Sequence, residues 1–157
     1  MTASVAGLME QLASADPNER ALALAALVEH GGSATPALTR ALGSPVDAVR
    51  AQAAQALAEI ADPSSADALA AALDDGNPEV RARAANGLAR VRDPRALGAL
   101  VRTIDDFPDV LHHPYTLSVY GLIGLGQAAL PAVVPLLEAD DPATRERALL
   151  VVRTLGA

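Results

Sequence analysis

Four short segments of this chain repeat one another, and that repetition limits the fold more than any other feature. They are Asp16-Pro17-Asn18-Glu19-Arg20, Asp47-Ala48-Val49-Arg50, Asn77-Pro78-Glu79-Val80-Arg81 and Asp141-Pro142-Ala143-Thr144-Arg145. Small or apolar residues recur three, four and seven positions after each Arg: Ala23/Leu24/Leu27, Ala53/Ala54/Leu57, Ala84/Ala85/Leu88 and Ala148/Leu149/Val152. Such spacing marks one face of an amphipathic helix. Asp or Asn at the start caps the unpaired N–H groups of the first turn, and Pro at the first helical position gives up an N–H that has no partner anyway.

A second, shorter helix is expected after each first one, carrying Leu38/Leu42, Leu69/Leu73, Leu100/Ile104 and Val133/Leu137. Gly31-Gly32, Asp62-Pro63, Asp93-Pro94 and the 124–126 segment supply the turns. The first two Arg-to-Arg steps are 30 and 31 residues; Tyr115 then takes the register position, with Arg145 a further 30 on. A two-helix unit of this size cannot bury its apolar face alone, so the units must stack. The expectation is an all-α chain, an α-α superhelix of about four and a half two-helix repeats and ten helices. Its parts are a half repeat at 1–15, repeats at about 16–44, 45–76, 77–106 and 107–140, and a half repeat at 141–157. Pro135 falls inside a second helix and should kink or shorten it.

Composition agrees. Half of the 157 residues are apolar, but almost all of these are Ala, Leu and Val; Phe107, Tyr115 and Tyr120 are the only aromatics. Ala and Leu favour helix, whereas strands favour β-branched and aromatic residues. The formal charge of −7 lacks the basic stripe that tracking a phosphate backbone requires, so nucleic acid and anionic membrane are not expected partners. Without Cys there is no disulfide, thiolate catalysis or Cys-based metal site. No leader-like start and no long charge-free apolar run is seen, which gives a cytoplasmic expectation.

The pattern Asp-Pro-x-Val-Arg-x-x-Ala-Ala-x-x-Leu, best copied at residues 77–88, resembles the HEAT-like repeat named for phycobilisome lyases. The resemblance covers nearly the whole chain. It implies a right-handed HEAT solenoid whose second helices line a concave face. It also implies that Arg20, Arg50, Arg81 and Arg145 form a structural ladder, pairing with carboxylates of adjacent repeats. A planar fork of five donors suits that task.

What the repeat leaves unexplained is the approach to the fourth unit. All three aromatics and two of the three His lie between positions 107 and 120. Aromatics anchor interfaces, and departures from a regular pattern are where function or strain concentrates. Phe107, His112, His113, Tyr115 and Tyr120 are therefore candidate protein-binding residues, with Arg40 and Arg102 of the second helices as charged contacts. His112 and His113, being adjacent, cannot converge on one metal, and no further ligands accompany them, so neither metal nor cofactor is expected. No phosphate loop, nucleophile elbow or catalytic triad is present, and the acidic pairs at 74–75, 105–106 and 140–141 recur at turns, as caps do; no enzyme is expected. The expected function is a protein–protein scaffold or adaptor. The alternatives are a bilin lyase or phycobilisome-associated chaperone, implied by the resemblance, and a module that self-associates, as in a homodimer, through its apolar C-terminal helix.

Overall fold

Asp16, Asn77 and Asp141 cap their helices as the repeat demands. Their side-chain oxygens accept from the backbone N–H groups of Asn18 (2.8 Å), Glu79 (2.8 Å) and Thr144 (3.0 Å), and Pro follows each. The second unit differs: Val46 is its cap residue and makes no side-chain bond, while Asp47 opens the helix and pairs with Arg50 at 2.8 Å.

The computed structural model describes residues 3–109 and 111–156. Ten α-helices are found among them: α1 (Val5–Leu12), α2 (Pro17–Glu29), α3 (Thr35–Ala41), α4 (Asp47–Ile60), α5 (Ala66–Ala71), α6 (Pro78–Arg90), α7 (Ala96–Arg102), α8 (Leu117–Gly124), α9 (Leu130–Val133) and α10 (Pro142–Thr154). The even-numbered helices are the first of each pair and the odd-numbered ones the second. The second helices are short, and α3, α5 and α9 lead from or into 3-10 turns. Pro135 ends α9 at Val133, and the chain continues as the 3-10 segment Val134–Glu138.

The core is a continuous seam of one leucine-type residue per helix. Leu27, Leu57, Leu88 and Leu122 of the first helices are fully buried, as are Leu38, Leu69, Leu100 and Val133 of the second. Each contributes roughly 1.5–3 kcal/mol by leaving water. Ala53, Ala54, Ala84 and Ala85 have no exposure, so α4 and α6 approach closely. At Gly87, α6 also packs tightly on α5: an added Cβ would lie 2.9 Å from a Leu69 methyl.

Polar ties join successive repeats along one edge. Arg50 grips Asp75 with Nε and Nη2 (2.7 and 3.0 Å), and Arg81 grips Asp106 the same way (2.8 and 2.7 Å). Each also donates Nη1 to a carbonyl of the preceding turn, Ser44 for Arg50 and Asp75 for Arg81. Arg20 and Arg145 keep the carbonyl contacts, to Ser14 and Ala15 and to Ala139 and Asp140, but grip no carboxylate among the described residues. The Arg50 guanidinium holds the Asp75 carboxyl below its ordinary range.

The last helix departs from the expected face. Ala148 is buried, but Leu149 is 48% exposed and Val152 only partly covered, and Val151 enters the core in their place. No following helix within the described residues lies over that side of α10.

Candidate protein-binding surface

The irregular segment between α7 and α8 is a tightly held loop. At its base, Asp106 accepts the Arg81 fork, while Asp105 faces the other way and accepts from Arg147 and from the Thr144 hydroxyl, both on α10. Arg147 also donates Nε to the Pro114 carbonyl at 3.2 Å. The Thr116 hydroxyl donates to the Ile104 carbonyl and accepts from the Val119 N–H, capping α8 while closing the loop. Below it the hydroxyls of Thr103 and Ser118 meet at 2.7 Å in the core. An isolated bridge joins Pro108 to Thr116, and the Asp109 N–H donates to the Tyr115 carbonyl at 2.9 Å.

The loop tip is organised by Asp109. One carboxylate oxygen accepts from the backbone N–H groups of Leu111 (2.9 Å) and His112 (3.1 Å), and the other meets His112 Nδ1 at 2.9 Å. These contacts, the Leu111 N–H first, hold the Asp109 carboxyl below its ordinary range. Leu111 is thereby presented to solvent, 84% exposed, with His112 and His113 exposed beside it.

Three aromatics flank this loop. Tyr115 and Tyr120 stack with ring centroids 4.9 Å apart and planes inclined by 18°. Phe107 adopts φ 51°, the left-handed region that a side chain of its size rarely enters, and its ring lies under the Arg83 guanidinium at 5.5 Å. Between Phe107, Pro108, Asp109, Leu117 and Tyr120 is a cavity of about 240 Å³. Leu117 separates it from a polar cavity of about 220 Å³ whose walls include Gln55, Arg83, Asn86 and Arg90.

Tyr115 does stand in the ladder register. Gly87 lies six residues after Arg81 and meets Leu69; Gly121 lies six after Tyr115 and meets Leu100 in the same manner. The first turn present in α6 is missing from α8, which begins only at Leu117. Tyr115 consequently sits outside the helix and stacks on Tyr120 where an arginine would grip a carboxylate.

The structure thus brings Phe107, Tyr115 and Tyr120 together and sets His112 and His113 on the adjoining tip. Arg40 and Arg102 lie elsewhere, on the second helices. Arg102 pairs with Asp74 at 3.0 Å, both exposed, and Arg40 borders an open groove of about 730 Å³ between α1 and α3. Neither lines the aromatic cavity. Arg83, Leu111 and Leu117 belong to the surface but escape a reading of the sequence. Arg83 and Leu117 each stand two residues after a register position, a spacing whose meaning emerges only once the helices are stacked. No group of three or more His, Cys, Asp or Glu able to hold a metal is found among the described residues. Among the described residues no single helix is long and apolar enough to cross a membrane.

Comparison with known proteins agrees with this architecture. Residues 5–77 match the family of HEAT repeats, and residues 80–106 match the PBS lyase HEAT-like repeat. No curated protein matches the sequence. Among solved structures, the chain is similar to one in the complex of CpcE and CpcF of phycocyanin lyase from Nostoc sp. PCC7120. The identity is 27%, the TM-score 0.72, and the match covers 94% of this chain and 96% of that one. Weaker likenesses are to an engineered protein (22% identity, TM-score 0.47, 96% and 78% covered) and to computationally designed armadillo repeat proteins for modular peptide recognition (19%, 0.44, 96% and 82%). The chain is a HEAT-repeat protein, an all-helical solenoid in which residues 80–106 match the phycobilisome-lyase HEAT-like repeat.

Proposed function

We propose that this chain is a protein-binding scaffold whose partner docks around Phe107, Leu117 and Tyr120, beside Arg83. The observation that carries this reading is Phe107. Its backbone occupies a costly conformation that the surrounding bonds enforce, and the result is a ring 37% exposed at the mouth of an apolar cavity. Tyr and Arg, which dominate binding energy at protein interfaces, stand next to it. Hydrogen bonds of Thr116, Asp109 and Tyr115 hold the described residues around the cavity, which lowers the entropic cost of docking there. Capture from a native lysate, compared between wild type, Phe107→Ala/Tyr120→Ala and Arg40→Ala, tests the reading. Loss with the aromatic variant alone supports it. Equal capture by wild type and the aromatic variant, both folded, rejects it; loss with Arg40→Ala alone moves the site to the second-helix groove.

A second reading rests on the similarity to the phycocyanin-lyase chain, which extends over almost all of both proteins. Under it the partner is a phycobiliprotein and the chain assists bilin attachment. Mixing the protein with free bilin and recording the absorption spectrum separates the two: a shifted spectrum favours the lyase-type role, an unchanged one the scaffold.

A further inference from the structure

The two ends of the array present leucines at, or next to, registers that face each other inside it. Between successive first helices, the residue five after the ladder position meets the residue two after it on the next helix. Arg83 donates to the Gln55 side chain in this way, and Asn86 donates to the Leu117 carbonyl at 3.4 Å. On α2 the position two after Arg20 is Leu22; on α10 the position five after Arg145 is Leu150.

The exposure pattern isolates the same two faces. Leu22 is 72% exposed, whereas Gln52, Arg83 and Leu117 at its register are half-buried and Arg147 is buried. Its neighbour Ala21 is exposed, as is Glu146 of α10, where Ala51, Ala82 and Thr116 are buried. At the other end Leu149 is 48% exposed, whereas Leu24, Ala54, Ala85 and Val119 at its register are buried. Nothing within the described residues covers either face.

We infer that α10 of one copy stacks on α2 of a second copy, as α4 stacks on α6 within the chain. In that arrangement Leu149 and Leu150 meet Leu22 and Ala21, and α1 of the second copy takes the place that a second helix holds after each earlier first helix. The contact is heterologous: each copy uses one end to bind and offers the other.

Sedimentation velocity from low micromolar to near-millimolar protein tests this. Wild type gains mass with concentration. Leu22→Glu and Leu149→Glu, both exposed substitutions that leave the circular dichroism and Tm unchanged, each stay monomeric alone. Mixed in equal amounts they form a dimer and nothing larger, because each retains the end the other has lost. That mixing result reads the contact whether wild type closes into a ring or grows openly. A wild type monomeric throughout overturns the inference, as does association that survives Leu22→Glu, which would place α10 against α10. Phe107→Ala/Tyr120→Ala leaves the mass unchanged, so this contact and the proposed partner surface fail or stand separately.

Discussion

The buried guanidinium of Arg147 is hydrogen-bonded to Asp105, 42 residues earlier in the chain. A second hydrogen bond runs from Arg147 to the Pro114 carbonyl. Between these anchor points lie the strained Phe107, the exposed Leu111 and both His residues of the tip. A helix packed at the end of the array thus fixes the base of the surface on which the partner is proposed to dock.

Arg147→Met keeps the volume of the side chain and removes both bonds. Hydrogen bonds to charged groups contribute more than neutral ones, and the expected loss is about 2 kcal/mol. Urea denaturation measures it. Native-state hydrogen exchange gives the second readout: the amides of Asp109, bonded to the Tyr115 carbonyl, and of Tyr115, bonded to the His112 carbonyl, exchange faster than in wild type, while those of α4 keep the protection set by global stability.

Phe107 separates backbone strain from side-chain function. A non-glycine residue in the left-handed region costs roughly 1–2 kcal/mol, a cost that glycine escapes. Phe107→Gly should therefore be more stable than Phe107→Ala by about 1 kcal/mol, because both lose the ring under Arg83 and only one retains the strain. Thermal melts of the two variants check the difference. Partner capture should be lost equally in both.

The repeat was legible in the sequence because each of its signals is local. Asp-Pro caps, the three-four-seven spacing and the turn residues act within a few positions, and they suffice to place all ten helices. The Tyr115 register was legible too, through the step lengths. The aromatic surface was legible only as an anomaly. That Arg83 covers Phe107, or that Arg147 reaches back to Asp105, depends on which helices the stacking makes neighbours. Leu149 exposes a limit of periodicity: the pattern assigns it to a buried face, but burial requires a following helix. Arg20 shows the same limit, since its fork finds no aspartate in the next turn, where Ser44 and Pro45 stand.

Two glycines that look alike in the sequence should respond in opposite ways to alanine. Gly98 lies inside α7 with nothing within 4 Å of an added Cβ, so Gly98→Ala should stabilise by roughly 0.5–1 kcal/mol through helix propensity. At Gly121 the added Cβ would lie 2.6 Å from one methyl of the fully buried Leu100 and 3.0 Å from the other. Overpacking of a closed core costs about 1–3 kcal/mol, which outweighs the propensity gain. Chemical denaturation should place Gly98→Ala above wild type and Gly121→Ala below it.

Acid should unfold the chain by releasing its caps and ladder together. Asp75, held by Arg50, Asp109, held by the loop-tip N–H groups, and Asp141, held by the Thr144 N–H, all have carboxyl pKa values below the ordinary 3.8, and Asp93 beside Arg95 is lowered to about 2. A carboxylate whose pKa is depressed in the folded state stabilises the fold above its unfolded pKa, and that contribution is lost as pH falls through the folded value. Urea midpoints should therefore be flat from neutrality down to about pH 5 and fall steeply below pH 4. In Arg50→Met, Asp75 loses the contact that lowers its pKa most. That variant should begin less stable at neutral pH and lose less stability on acidification, so the two curves converge toward low pH. Parallel curves would mean that the Arg50 to Asp75 pair makes no contribution to the acid response.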